Sequence, residues 1–310
     1  MNSEATKIEN YKIQDLWHDR TANIPPMVIN FAKDINRIDG FSEIPVPVNN
    51  PDIEKNKIVK ISKNLPDRIN NLMNQYIYGI YFCNNLGGTG ISGIVYEKNK
   101  PVGGFIILDS SMIQKKANEW ITLKENSPYS TNGLKLTVEI EDAESDNPTS
   151  AMQYILLHEF GHILSIVKNE LPDLREKERN FSEFEFTRDI WIEEGKSIYD
   201  DSTFPIRKKI IYYSDKKISL PSDFKKIYPV LELTSFPTLY SATNPDDYFA
   251  ESFVSYVHCI LLNKKWDLVI TKNNINIYSA KNGITENRSR KEKMFFENFF
   301  KKMKPPGSNN

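Results

Sequence analysis

The sequence predicts an α+β fold, strands first and helices after, and three observations carry that prediction. Between Tyr78 and Ile113 the apolar residues fall into short strand-like runs separated by glycine-rich and proline turns. After Pro148 an apolar stripe recurs at helical spacing, and a second, well-capped helical segment starts at Asn244. Strands grouped ahead of helices, rather than alternating with them, are the pattern of an α+β chain, here expected as two lobes around a cleft.

Length and charge narrow the function classes. A chain of 310 residues can bury a sizeable core, as one large domain or as two lobes. Its 40 basic and 41 acidic residues leave a net charge of −1, so no electrostatic footprint for nucleic acid or an anionic membrane is expected. Two cysteines, Cys83 and Cys259, cannot build a disulfide framework or a cysteine-based zinc site. No run of about 18 apolar residues predicts a membrane span, and the N-terminus has no charged-then-apolar signal pattern. Secretion would therefore require a signal already removed or another export route.

The elements follow in order. Residues 1–60 are polar, with IPP and IPVPV segments that break regular structure, and are expected as an N-terminal extension packed on a main domain at 61–304. A helix is expected over 67–79. Three strands follow, YGIYFCN, SGIVYEK and PVGGFIILDSSMI, with Asn99-Lys100-Pro101 as a hairpin connection between the last two. The glycines of NNLGGTG are too loosely spaced for a nucleotide loop and read as a hairpin turn. LKLTVEI, Leu134–Ile140, alternates as a half-buried strand does. Ser150 and Gln153 form a capping box behind Pro148, and Met152, Ile155, Leu156, Phe160, Ile163 and Val167 make the apolar stripe of the next helix, stopped by Pro172. A helical segment is expected near 182–199 and an irregular stretch from 200 to 239. Asn244 is a good N-cap with Pro245 at the first helical position. The basic tail at 286–304 is amphipathic, with Met294, Phe295, Phe296, Phe299, Phe300 and Met303 expected to pack on the body of the protein, and 305–310 is expected to be flexible.

The chemistry is concentrated in Leu157-His158-Glu159-Phe160-Gly161-His162. On a helix, positions i and i+4 share a face, so His158 and His162 can hold one ion. Neutral imidazole suits zinc, and a catalytic zinc keeps one position open for water. The metal lowers that water's pKa to about 7, and Glu159 is placed to take its proton as general base. With only four histidines in the chain, an accidental HExxH on a capped helix is rare. The motif supplies two ligands only. Glu194, in WIEEGKSIY, and Asp247 and Glu251, one turn apart in NPDDYFAESF, are the candidates for the third.

At this point the sequence resembles the catalytic domain of anthrax lethal factor and its relatives, which include the Pro-Pro endopeptidases. The matching pieces are LLHEFGHIL, IWIEEGKS and, above all, LYSATNPDDYFAESFVSYVH, within residues 150 to 262. The resemblance implies a zincin-like fold, a twisted sheet lobe plus a mostly helical C-terminal lobe around the active-site cleft. It implies zinc as cofactor, a protein or peptide substrate, and a secreted toxin or effector-type protease. In that family a tyrosine precedes the third ligand by seven residues and a second acid follows it by four. Here these fall on Tyr240, Asp247 and Glu251, and Glu194 drops outside the metal's ligands. The family has Glu where this chain has Asp247, so Glu251 stays the alternative, as a ligand or as the partner of a ligating imidazole. Tyr240 would donate to the oxyanion. Asp247 also reads as a capping acid at a helix start, and His258 as a buried, hydrogen-bonded histidine. The departure at Asp247 keeps open a non-catalytic binding protein of the same fold. The strand PVGGFIILDSS is the expected cleft edge onto which an extended substrate would add.

Overall fold

The computed structural model describes residues 3–13 and 16–302. In chain order the elements are β1 (Thr21–Asn23), α1 (Pro26–Asp39), β2 (Val46–Pro47), α2 (Asp52–Asn64), α3 (Asp67–Tyr76), β3 (Ile77–Asn84), β4 (Gly90–Glu97) and β5 (Lys100–Asp109). Then come α4 (Ala117–Asn126), β6 (Tyr129–Ser130), β7 (Leu134–Glu139), α5 (Pro148–Val167), β8 (Trp191–Glu193), β9 (Lys196–Ser197), β10 (Ile218–Ser219) and α6 (Leu220–Leu231). The last are α7 (Pro245–Ser255), β11 (Asp267–Lys272), β12 (Ile275–Lys281) and α8 (Arg290–Lys302). The mixture is α+β. The chain forms two compact units, Met1–Lys116 with Asn147–Lys177, and Ala117–Asp146 with Glu178–Asn310.

The first unit is built on a sheet of order β1-β3-β5-β4, with β2 also paired to β3. β3 runs parallel to β1 and β5, and β4 is antiparallel to β5. Both faces of the sheet are covered, which is why β3 and β5 read as almost continuous apolar runs. On one face Tyr81, Cys83, Phe105, Ile107 and Val95 pack with Val28, Phe31 and Ala32 of α1. On the other, α5 lies across β4 and β5. A Cβ on Gly104 of β5 would come within 2.6 Å of the Ile163 side chain, so the helix rests directly on the strand.

Several expectations are corrected here. The proline-rich N-terminal stretch is not irregular: Pro26 opens α1 at its first turn, where a missing N–H costs nothing, and Gly40 closes it at φ 83°. The hairpin turn joining β4 to β5 is Lys98-Asn99, at φ 46° and 68°, because Lys100 and Pro101 already pair with β4. NNLGGTG is not a hairpin turn, since β5 lies between β3 and β4. β5 is not an edge either; it is bonded on both sides, and β4 is the outer strand. α5 is capped by Asn147, whose Oδ1 accepts from the N–H groups of Thr149 at 2.9 Å and Ser150 at 3.2 Å, so Ser150 lies inside the helix.

The second unit holds an antiparallel sheet of order β12-β11-β7, with α4 packed on β7. β11 and β12 are joined by Asn273-Asn274, at φ 51° and 63°, so this half is less helical than the sequence suggested. The expected helix near 182–199 is a short 3-10 turn followed by the β8–β9 hairpin, with Trp191 fully buried. The stretch expected to be irregular contains α6. α7 begins as expected, capped by Asn244 with Pro245 at its first position, and continues as a π-helical turn over Tyr256–Leu261. α8 lays Phe296 against Phe249, Phe253 and Tyr256, and stacks Phe300 on Tyr256. Met294 is exposed and not part of that face. Met303 and the tail at 305–310 lie outside the described residues. No described helix is long and apolar enough to cross a membrane.

Candidate metal centre

In the first unit, α5 presents two different faces. Glu159 and Ile163, one turn apart, face the sheet: Ile163 meets Gly104, and the Glu159 carboxylate meets Gly90 at the start of the outer strand β4. A Cβ on Gly90 would approach Glu159 Cγ and Oε1 at 2.9 Å each. The space for the carboxylate is therefore made by a missing side chain. His158 and His162 are displaced from that face by about 100° of helix turn. Their rings lie 4.8 Å apart at 85°, and their Nε2 atoms converge to 3.1 Å. Two imidazole nitrogens that close either share a hydrogen bond, one ring donating its N–H to the bare nitrogen of the other, or together face a cation.

In the second unit, the acids expected near the metal have different surroundings. Asp247 caps its own helix reciprocally with Asn244. Its N–H donates to Asn244 Oδ1 at 2.8 Å, and its Oδ2 accepts from Asn244 Nδ2 at 2.7 Å and from Thr243 Oγ1 at 2.8 Å. That arrangement fixes the plane of a half-buried carboxylate at a helix start. Glu251, one turn on, is buried. Its Oε1 accepts from the buried Lys124 ammonium, and its Oε2 from Thr238 Oγ1 at 3.1 Å. Tyr240 lies under the same ammonium, with Lys124 Nζ 3.9 Å from the ring centroid and the Tyr212 ring edge-on at 4.7 Å. Glu194 is in the exposed turn of the β8–β9 hairpin, near Arg179.

Other titratable groups of the second unit are structural. His258 is buried, with Nε2 2.9 Å from the Ile140 carbonyl and 3.1 Å from that of Lys265, as a satisfied core histidine should be. Burial, and then the Lys264 charge, push its pKa down to about 4. Burial raises Glu125 to about 7, against the opposing effect of Lys124; it accepts from Tyr212 Oη at 3.1 Å. Each unit holds one free cysteine, Cys83 or Cys259, and burial raises both thiols to about 12, which removes them as nucleophiles.

Three residues escaped the sequence reading. Lys124 carries the clearest signal, because Ala117, Trp120, Ile121 and Lys124 share one helix face and are all buried. A lysine on an apolar face demands an acid partner. Gly90 has the weaker signal of a glycine inside a strand pattern. Thr238 had none. No protein-family model, curated protein or solved structure matches this chain.

Proposed function

We propose that the protein is a zinc-dependent endopeptidase of the zincin type, related in its catalytic helices to the lethal factor-type peptidases. The observation that carries the reading is the convergence of two imidazole nitrogens to 3.1 Å on one buried helix that also bears Glu159. Two nitrogens each about 2.0–2.1 Å from a single tetrahedral ion lie about 3.3 Å apart, so the donor pair fits zinc. Asp247 is the third ligand in this reading, following the register of the resemblance. Glu251 is the less suitable acid, because both of its oxygens already accept hydrogen bonds from Lys124 and Thr238.

When bound, zinc supplies a Lewis acid that polarises the scissile carbonyl and acidifies a water molecule. The protein's own residues do the rest. Glu159 accepts the proton of the attacking water at its carboxylate and delivers it to the leaving amine. Tyr240 donates its phenolic proton in a hydrogen bond to the oxyanion. An extended peptide substrate would run beside Glu159 at the Gly90 end of β4's outer side, away from Tyr96, where Lys7 already bridges that side.

The test is Glu159→Gln, which keeps shape and hydrogen bonding and removes the base. Purified parent should cleave members of a diverse quenched-fluorescence peptide pool, and the variant should lose at least about 1,000-fold in rate with one zinc still bound. A variant that cleaves at the parental rate would remove Glu159 from the mechanism.

A further inference from the structure

The lysine buried beside Tyr240 has no counterpart in the expectations drawn from the motif. It lies on α4 with 5% exposure, and its Nζ contacts three things within the second unit. One is Oε1 of Glu251, which is itself held from its other oxygen by Thr238. The others are the faces of Tyr240, at 3.9 Å, and Trp120, at 5.8 Å. A desolvated ammonium on a ring face is attracted by the ring's negative quadrupole and withdraws electron density from it. For a phenol this has two effects: the ring is held in one orientation, and the O–H becomes a better donor. Tyr212, edge-on to the same ring and tied to Glu125, is a second fixed contact on it.

We propose that Lys124 is a positioning residue for Tyr240, and that Glu251 acts on Tyr240 through Lys124 rather than on the metal. The inference rests on the reading of Tyr240 as the oxyanion donor. Glu251 is the counter-ion that keeps a buried lysine charged, Thr238 fixes that carboxylate, and Lys124 delivers the charge to the phenol. The second acid of the helix then has a function with no metal contact. Because Lys124 works only through Tyr240, its removal can cost no more than removal of the Tyr240 hydroxyl, which for one oxyanion donor is about 100- to 1,000-fold in kcat.

The experiment uses full-length protein with 3-fluorotyrosine placed at position 240, and compares parent, Lys124→Met and Lys124→Arg. The fluorine signal reports the ring's surroundings whether or not any peptide is cleaved. It should shift and broaden in Lys124→Met and stay near the parental position in Lys124→Arg. In cleavage assays with the natural tyrosine, Lys124→Met should lower kcat by about 10-fold or more, with KM and zinc content unchanged. That loss should vanish in the Tyr240→Phe background. A fluorine signal unmoved by Lys124→Met would overturn the inference, as would a kcat loss that persists in full without the Tyr240 hydroxyl. If Lys124→Met does not fold, Glu251→Gln, which loosens the anchor, is read by the same signal with the same two outcomes. A parent that cleaves nothing defeats the peptidase reading alone, and the fluorine arm still decides whether Lys124 sets the Tyr240 ring.

Discussion

Gly90→Ala is the most economical way to move the proposed general base without touching it. The new methyl carbon would lie 2.9 Å from both Cγ and Oε1 of Glu159 and 3.1 Å from its Cδ. Ordinary contacts of this kind start near 3.4 Å. The carboxylate must therefore retreat by about 0.5 Å or more, or β4 must shift from α5 by as much. A general base works within about 2.6–3.2 Å of the proton it takes, and a misplacement of about 1 Å costs on the order of 100-fold. We expect kcat to fall by about 10- to 100-fold with zinc stoichiometry unchanged, since the Cβ of Gly90 would meet Glu159 and neither histidine. The matched control is Gly88→Ala, whose methyl would meet only the Gly90 carbonyl at 3.8 Å and should leave the rate alone. Steady-state cleavage of a peptide chosen from the pool, with elemental zinc analysis of the same samples, measures both. Gly90→Ala cleaving at the parental rate, or losing zinc in step with activity, would refute the argument that this glycine makes room for the base.

Three further outcomes follow from the same structure. His158→Ala and His162→Ala should each remove most of the bound zinc after gel filtration; zinc retained at one per chain in both variants would sink the metal assignment. Asp247→Ala should lose zinc affinity outright. Glu251→Ala should keep zinc but lose about 3–5 kcal/mol of stability, because it strands the Lys124 charge in the interior; the reverse order in zinc titrations would make Glu251 the ligand. The pH dependence of stability has two opposed contributions. His258, lowered to about 4, gives stability that is present above about 6.5 and lost as pH falls through 4, roughly 3 kcal/mol in all. Glu125, raised to about 7, gives stability present below about 4.5 and lost as pH rises through 7. The two nearly cancel between pH 4.5 and 6.5, so Glu125→Gln should make unfolding free energy rise more steeply with pH in that window. Equal slopes in urea melts of parent and variant would contradict it.

The elements that could be read from the sequence are those whose ends are written in side chains. α7 is marked by Asn244 and Pro245, and α5 by Pro148 and its apolar repeat, although its cap proved to be Asn147 rather than Ser150. Two of the helices that were missed carry prolines that read as breakers: Pro26 opens α1, and α6 carries both Pro221 near its start and Pro229 inside. The segment over 182–199 was expected to be helical. Trp191 instead anchors a hairpin whose two short strands carry too few residues to show alternation. β12 was missed because Ile275 and Ile277 face solvent on an outer strand, so the apolar pattern points the wrong way; Asn273-Asn274 was the local signal. At the site, His158, Glu159 and His162 were legible because one helix supplies all three. Lys124 and Glu251 are 127 residues apart in sequence, and no local rule pairs them.

The order of the chain through its two units has a consequence for how the protein is made. The sheet of the first unit is complete by Asp109, yet the helix that covers it, α5, starts only at Pro148, after α4 and β7 of the other unit have been synthesised. β7 in turn has no strand partner until β11 is made, where Leu136 pairs with Ile270. A chain leaving the ribosome N-terminus first must therefore hold one half-built unit open while it begins the next. Long-range pairings of this kind fold slowly and keep apolar strands exposed meanwhile. For the same reason neither unit is made from one contiguous stretch of chain. A cut within either inserted stretch, 117–146 or 147–177, would separate pieces of both units, so the helix that carries His158 and His162 joins its sheet only after part of the other unit has been made.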